Sequence, residues 1–274
     1  MAKIIKNEIL LEAKGLYKTY MQTSGFFVRK KRTIKALNNV TLSIKKGETL
    51  AIVGESGSGK STLARCLLQL LSLDEGELFF KGQNLKTLKV EDKKHLKRHI
   101  QMVFQDPYAS LNPRMKIGEI LEEGLLIHDV GDKNLRDKKI RDMIKKVGLE
   151  VSDLMKYPHQ FSGGQRQRIG IARALILEPE LVICDEPVSA LDVSIQAQIL
   201  LLLKELQNEL GLSYLFISHD LRVVRHMADH IVVMHQGQIV EQGSTKSIYA
   251  KPKARYTREL LNAIPGNHFN FKVS

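Results

Sequence analysis

The sequence predicts an α/β protein whose central sheet contains parallel strands. Three short runs support this prediction: ETLAIV at 48–53, LVICD at Leu181–Asp185 and YLFIS at Tyr214–Ser218. The last two are apolar up to their final residue, which is typical of parallel strands that are buried on both faces. The first run is followed by a glycine-rich loop and then by STLARCLLQLL, whose apolar spacing is helical. In open α/β sheets of this kind, ligands bind at the carboxyl ends of the strands.

The loop between that first strand and its helix has the pattern of a phosphate-binding site. Its sequence, GESGSGKST, fits the spacing G-x-x-x-x-G-K-[ST]. Glycines let several backbone N–H groups point at one phosphate chain, and the helix adds the positive end of its dipole. Lys60 then reaches the β- and γ-phosphates and the Ser61 hydroxyl ligates Mg²⁺. Taken alone, the pattern also fits a Gly/Ser-rich turn. The predicted phosphate-binding residues are Gly54, Glu55, Ser56, Gly57, Ser58, Gly59, Lys60, Ser61 and Thr62.

Polar residues follow the two apolar runs. Asp185 and Glu186 end LVICD before Pro187, and YLFIS delivers His219 to the same predicted edge. Asp185 suits Mg²⁺ coordination, and Glu186 suits activation of a water molecule. Taken alone, Asp185 and Glu186 also fit a simple acidic turn, and His219 also fits a structural histidine. The position of all three residues at strand ends favours a functional role.

A second glycine pair opens another helix. In HQFSGGQRQRIGIARALI, Ser162, Gly163 and Gly164 precede a helical pattern. Glycines in this position make an anion cradle, whereas a helix N-cap with a flexible lead-in explains SGGQ equally well when it is taken alone.

The N-terminal part predicts a small antiparallel sheet beside the nucleotide core. Its strands are expected at Glu8–Tyr20, Asn38–Ile44 and Glu77–Phe80, with a basic loop around Phe26 and Phe27 between the first two. Tyr20 either stacks on adenine or packs as an ordinary strand aromatic. A strand is also expected to end at Gln105.

The remaining segments predict a helical region and a C-terminal hairpin. The pattern is helical from about Ile117 to Leu154, and its charged stretch Lys133–Lys146 is expected to be a solvated helix face. The sequence IVVMHQGQIVEQG predicts a hairpin that turns at Gln236 and Gly237, and a tail with one short helix follows.

Composition sets limits on the class of protein. The chain has 274 residues, 43% of them hydrophobic and 26% charged, with a net charge of +12. This charge fits nucleic-acid contact, an anionic membrane surface or simply solvated faces. Cys66 and Cys184 are expected to be buried thiols, because no CxxC motif is present. The N-terminus does not resemble a signal peptide, and no segment reaches the roughly 18 to 20 apolar residues of a membrane span.

Five motifs in order give the chain its resemblance to a known family. They are GESGSGKST, the glutamine of VFQDP, FSGGQ, LVICDEP followed by SALD, and the histidine of ISHD. With this set the chain resembles the ATP-binding subunit of ABC transporters over almost its whole length. The resemblance implies the ABC ATPase fold: a P-loop NTPase (RecA-like) core with an antiparallel β subdomain and an inserted helical subdomain.

The resemblance also assigns roles to residues. The loop from Gly54 to Thr62 binds the phosphates of ATP, and Mg²⁺ with its water is held by Ser61, Gln105 and Asp185. Glu186 is the general base, and His219 contacts the γ-phosphate. Tyr20 takes the position of the aromatic residue that stacks on adenine. An ATP held by the partner subunit is capped by Ser162, Gly163, Gly164 and Gln165. Asp192 communicates across the interface between the subunits.

Further motifs are similar to those of the oligopeptide and dipeptide importers, and to the second of their two unlike ATPases. These are QDPYASLNPR, YPHQFSGGQRQR, CDEPVSALDVSIQAQ and YTRELLNAIP. The resemblance implies two membrane-spanning permease subunits and a head-to-tail dimer with a paralogous ATPase or with itself. It also implies an extracytoplasmic substrate-binding protein, a place on the cytoplasmic face of the cell membrane, and no nucleic-acid partner. Phe161 stands where leucine is common in the family.

The expected subdivision is a single ABC ATPase domain over 1–274. The core with its β subdomain covers about 8–105 and 176–245, the helical subdomain about 106–175, and the tail 246–274. Other cargoes of this subfamily, such as nickel or antimicrobial peptides, stay open. A nucleic-acid- or ribosome-associated ATPase, a P-loop kinase and a module that only binds ATP are the competing functions.

Overall fold

A computed structural model describes residues 8–24 and 30–264. The chain divides into two compact units, one of residues 1–88 and 215–274 and one of residues 89–214. Its strands are β1 Ile9–Ser24, β2 Lys30–Lys45, β3 Thr49–Val53, β4 Glu75–Phe80, β5 Gln83–Asn84, β6 Ile100–Val103, β7 Leu181–Asp185, β8 Ser213–Ile217, β9 His230–His235 and β10 Gln238–Ser244. Its helices are α1 Lys60–Leu67, α2 Val90–His99, α3 Ile117–Ile127, α4 Lys133–Lys146, α5 Gly163–Leu175, α6 Val193–Leu210, α7 Leu221–Met227, α8 Thr245–Ala250 and α9 Arg255–Asn262.

The first unit contains the predicted antiparallel sheet, in the order β2-β1-β4-β5. Its first two strands are longer than predicted: they pair from Ile9 opposite Lys45 to Ser24 opposite Lys30. The sequence pattern missed this extension because both added ends are mostly polar in sequence, with MQTS at the end of β1 and KKRT at the start of β2. Met21 is 78% exposed. Backbone hydrogen bonds between strands need no apolar alternation. Phe26, Phe27 and Arg29 of the predicted basic loop lie outside the described residues.

A second group of strands in this unit positions the phosphate loop. Strand β3 is fully buried and runs parallel to β9, with Leu50 opposite His230. Strand β10 pairs antiparallel with β9, and the predicted turn lies between them, with Gln236 and Gly237 at φ 46° and 78°. The backbone N–H of Ser218, just after β8, donates to the carbonyl of Ile52 on β3 at 3.2 Å.

The second unit contains the parallel pair β6 and β7, with Val103 opposite Cys184. All five residues of β7 are buried, as its apolar run predicts. The helical stretch expected from Ile117 to Leu154 is interrupted, because Asp129 and Gly131 have φ of 52° and 57° and no α-helix passes through left-handed residues. The charged stretch Lys133–Lys146 forms α4, which buries Ile140, Met143 and Ile144 and turns most of its charges to solvent, as predicted.

The C-terminal part of the described chain forms two short helices where one was expected. Helix α8 ends at Ala250 and α9 begins at Arg255, with Pro252 between them. Proline has no backbone N–H and ends regular helices. Cys66 and Cys184 are buried free thiols, as expected, and burial raises the pKa of Cys66 to about 11. Within residues 8–24 and 30–264, no helix has the length and apolar character needed to cross a bilayer.

Candidate functional site

The predicted phosphate loop connects β3 to α1 and depends on glycine at two close contacts. Gly54 has φ 148° and Gly59 has φ 105°, which are unfavourable for residues with a side chain. A Cβ on Gly54 would lie 2.1 Å from the Met234 carbonyl oxygen, and one on Gly59 would lie 2.3 Å from the Ala36 carbonyl oxygen. The loop therefore lies directly on the backbone of neighbouring strands.

Two polar side chains of the loop are buried where a phosphate chain fits. Lys60 is 5% exposed, and its Nζ donates to the carbonyls of Gly54 and Glu55, each at 2.8 Å. The Oγ of Ser58 is buried and has no hydrogen-bond partner among the described residues. Buried polar groups are normally paired, and a buried ammonium is stabilised by an anion. The chemistry of the loop thus fits the phosphates of a nucleotide.

Two contacts that hold the loop were not predicted from the sequence. The Gly237 N–H, in the β9–β10 turn, donates to the Ser58 carbonyl at 3.0 Å. The Glu55 N–H donates to the hydroxyl oxygen of Tyr256, on α9, at 3.1 Å. The turn itself was predicted, but its contact was not, because no local pattern pairs residues 179 or 201 positions apart.

His219 and Tyr20, which lie in the same unit, are both accessible. His219 is exposed just after β8, and the following residue, Asp220, accepts a hydrogen bond from the Arg222 N–H at 2.8 Å at the start of α7. Hydrogen bonds from the Arg222 guanidinium lower the pKa of Asp220. Tyr20 is 38% exposed on β1, with the Lys18 Nζ 6.0 Å from its ring centroid.

In the second unit, the structure brings two predicted residues into contact. Gln105, two residues beyond the end of β6, donates its Nε2–H to Oε2 of Glu186 at 3.1 Å. Asp185, the last residue of β7, is 6% exposed, and Glu186 has φ 46°. A left-handed residue other than glycine costs about 1 kcal/mol or more and is concentrated at functional sites. The chain therefore turns away from the direction of β7 at Glu186, directly after Asp185.

Gly164 of the second predicted cradle lies in close contact with a neighbouring helix. Ser162 caps α5: its Oγ accepts from the Gln165 N–H at 3.3 Å, and the Gln165 Oε1 accepts from the Ser162 N–H at 3.0 Å. A Cβ on Gly164 would lie 2.5 Å from Cγ2 of Ile195 on α6. The N-cap interpretation of SGGQ is therefore correct, and it is compatible with anion binding. Asp192 is exposed at the start of α6.

A strand, a glycine loop with a buried lysine, and a helix that starts at that lysine define the class of P-loop nucleotide-binding proteins. Comparisons with known proteins narrow this class. Residues 37–189 match the family model for the ABC transporter domain. The chain is 51% identical to the dipeptide transport ATP-binding protein DppF of Haemophilus influenzae over 96% of its length and 80% of the relative. It is 50% identical to the oligopeptide transport ATP-binding protein AppF of Bacillus subtilis over 94% of its length and 79% of the relative.

Solved structures agree with this assignment. The dimeric post-hydrolysis state of the ATP-binding cassette MJ0796, bound to ADP and Pi, is similar with a TM-score of 0.74 and 32% identity, covering 86% of this chain and 99% of that one. Structure cbiO1 of Clostridium perfringens, part of the ABC transporter complex cbiONQ, has a TM-score of 0.75 and 27% identity, covering 94% and 97%. The chain belongs to the ABC transporter family. It is an ATPase with the predicted P-loop ABC ATPase fold.

Replacing Gly54 by alanine should weaken ATP binding by on the order of tenfold or more. The added methyl group would lie 2.1 Å from the Met234 carbonyl oxygen, so the loop must move and its N–H groups must reorient. Gly211→Ala is the matched control, because Gly211 is also left-handed, at φ 67°, but has nothing within 4 Å of its Cβ position. Isothermal titration calorimetry gives both dissociation constants, and wild-type affinity in Gly54→Ala would contradict the placement of the phosphates.

Proposed function

We propose that this ATPase powers the import of peptides across the cytoplasmic membrane as a subunit of an ABC transporter. The observation that carries this proposal is the similarity, near 50% identity over more than nine-tenths of the chain, to DppF and AppF. Both relatives are named for peptide transport, one for dipeptides and one for oligopeptides. Their names favour peptides over the nickel cargo that the sequence motifs leave open.

In this proposal the phosphate loop and its lysine bind ATP. The loop from Gly54 to Thr62 and the ammonium of Lys60 hold the triphosphate, while the Glu55 N–H stays bonded to the Tyr256 hydroxyl. Tyr20 stacks on the adenine. The buried position of Lys60 supports this role, since an anion compensates the desolvation of its charge. Binding Lys60 to phosphate would replace its present bonds to the carbonyls of Gly54 and Glu55.

The residues proposed to hold Mg²⁺ are Ser61, Gln105 and Asp185. A hydroxyl, an amide oxygen and one carboxylate suit an ion that binds through a few protein oxygens, substrate phosphates and water. When bound, Mg²⁺ would neutralise the negative charge that develops on the phosphates. The Gln105 amide now donates its N–H to Glu186, which leaves its carbonyl oxygen as the atom suited to the ion.

Glu186 is the proposed general base. Its carboxylate accepts a proton from the attacking water while the Gln105 amide fixes the orientation of its Oε2. His219, which is accessible after β8, contacts the γ-phosphate and stabilises the charge of the transition state. Hydrolysis of this kind depends on positioning and charge stabilisation more than on covalent chemistry.

The proposed assembly is a head-to-tail ATPase dimer, with a paralogue or with itself, on two membrane-spanning permease subunits. Ser162 to Gln165 and Asp192 then face the ATP held by the partner, which agrees with the exposure of Ser162, Gly163, Gln165 and Asp192. The permeases place the chain on the cytoplasmic face of the cell membrane, and an extracytoplasmic binding protein delivers the peptide. The subdomain boundaries at about 105 and 175 belong to the same proposal.

Glu186→Gln should keep ATP binding and slow hydrolysis by roughly 10²–10⁴-fold, the usual contribution of a general base. The amide retains the shape of the side chain but does not accept the proton from water. Glu205→Gln is the matched control, because Glu205 is an exposed glutamate of α6 outside the proposed site. Phosphate release from ATP measures both, and wild-type turnover in Glu186→Gln would remove the residue from its role.

Cells in which the gene for this chain has been deleted should lose uptake of a radiolabelled dipeptide. The wild-type chain and Glu205→Gln should restore uptake, whereas Glu186→Gln should not, because the transporter lacks its energy source. Unchanged peptide uptake together with lost ⁶³Ni²⁺ uptake would contradict the peptide assignment and establish the nickel alternative.

A further inference from the structure

One peptide group of the phosphate loop is held from both sides. The carbonyl of Gly54 accepts from the Lys60 Nζ at 2.8 Å, and the N–H of Glu55, in the same peptide group, donates to the Tyr256 hydroxyl at 3.1 Å. A trans peptide is planar, so its C=O and N–H point in opposite directions. The Tyr256 hydroxyl therefore fixes the direction of the carbonyl that receives Lys60.

The ring of Tyr256 is held by the hairpin that also supports the loop. It lies against the His235 ring with centroids 4.1 Å apart and planes at 40°. His235 ends β9 and is followed by the turn whose Gly237 N–H donates to the Ser58 carbonyl. The half-buried position of the ring raises the pKa of Tyr256, so the hydroxyl stays neutral at physiological pH.

Helix α9, which carries Tyr256, is held in place by contacts at its N-terminus and near its C-terminus. The Glu241 carboxylate on β10 accepts from the backbone N–H groups of Lys253 and Ala254 at 2.8 and 2.9 Å, directly before α9. Farther along the helix, Leu261 is fully buried. Because these contacts already order the helix, the hydroxyl reaches the loop with little further loss of conformational entropy.

We propose that Tyr256 is a positioning residue for the nucleotide, which holds the Gly54–Glu55 peptide of the phosphate loop in its observed orientation. The proposal rests on the ATP-binding role of the loop. When Lys60 turns to the phosphates, it releases the carbonyl of Gly54, and the bond from Glu55 to Tyr256 continues to hold the peptide. Tyr256 acts on the loop backbone and not on the reacting atoms, so its effect falls on ATP affinity and not on the chemical step.

Tyr256→Phe tests this inference because it keeps the ring against His235 and removes the acceptor for Glu55. We expect the KM for MgATP to rise about fivefold, the value of one neutral hydrogen bond, while kcat changes less than about twofold. The purified full chain is used. Tyr17→Phe is the matched control: Tyr17 is also half-buried in the first unit, on β1, and its exchange should change neither constant.

Hydrogen exchange at the Glu55 amide, followed by NMR, is the second measurement. The wild-type amide should be protected, and Tyr256→Phe should accelerate its exchange while the Tm stays within about 2 °C of wild type. Rapid exchange of this amide in the wild type would overturn the proposal without any variant. An unaltered KM in a folded Tyr256→Phe protein would also overturn the proposal. The same holds if KM is unaltered while kcat and Tm both fall. Failure of the wild-type protein to bind ATP would instead refute the ATPase function. This outcome is different from the two that overturn the role of Tyr256.

Discussion

The close contact of the phosphate loop with the β9–β10 hairpin is the constraint on which the site depends. Gly54 lies so near the Met234 carbonyl that no Cβ fits, and the Ser58 carbonyl is held by the Gly237 N–H. These contacts fix the loop around the buried Lys60. A preorganised loop binds phosphates without ordering its backbone at the moment of binding, which raises affinity.

The second unit places its carboxylates by similar means. Strand β7 is buried throughout and ends at Asp185, and the left-handed Glu186 turns the chain away at once. The bond from Gln105 to Glu186 orients the Oε2 of that carboxylate. Two adjacent carboxyl groups thus have different surroundings, and this difference supports a metal-binding role for one and a general-base role for the other.

The sequence predicted the fold class and the phosphate loop because their signals are local: a buried strand, glycines and a helix in one stretch. It did not predict the contact of Tyr256 with Glu55, since 201 positions separate them. It underestimated β1 and β2, whose ends are polar and pair through their backbones. It also joined α3 and α4, because their apolar positions continue across the left-handed residues Asp129 and Gly131. The roles of Gln105, His219 and Asp192 rest on family resemblance and stay predictions.

Capture of the closed complex from native membranes tests the role of this ATPase in peptide import. The Glu186→Gln chain, loaded with MgATP to hold the dimer closed, is isolated and its partners are identified by mass spectrometry. We expect two multi-span membrane proteins, together with a second ATPase where the dimer forms with a paralogue, recovered with ATP and in smaller amounts without it. Recovery of the chain with itself alone, or with ribosomes or DNA, would leave the ATPase chemistry standing and contradict the role in peptide import.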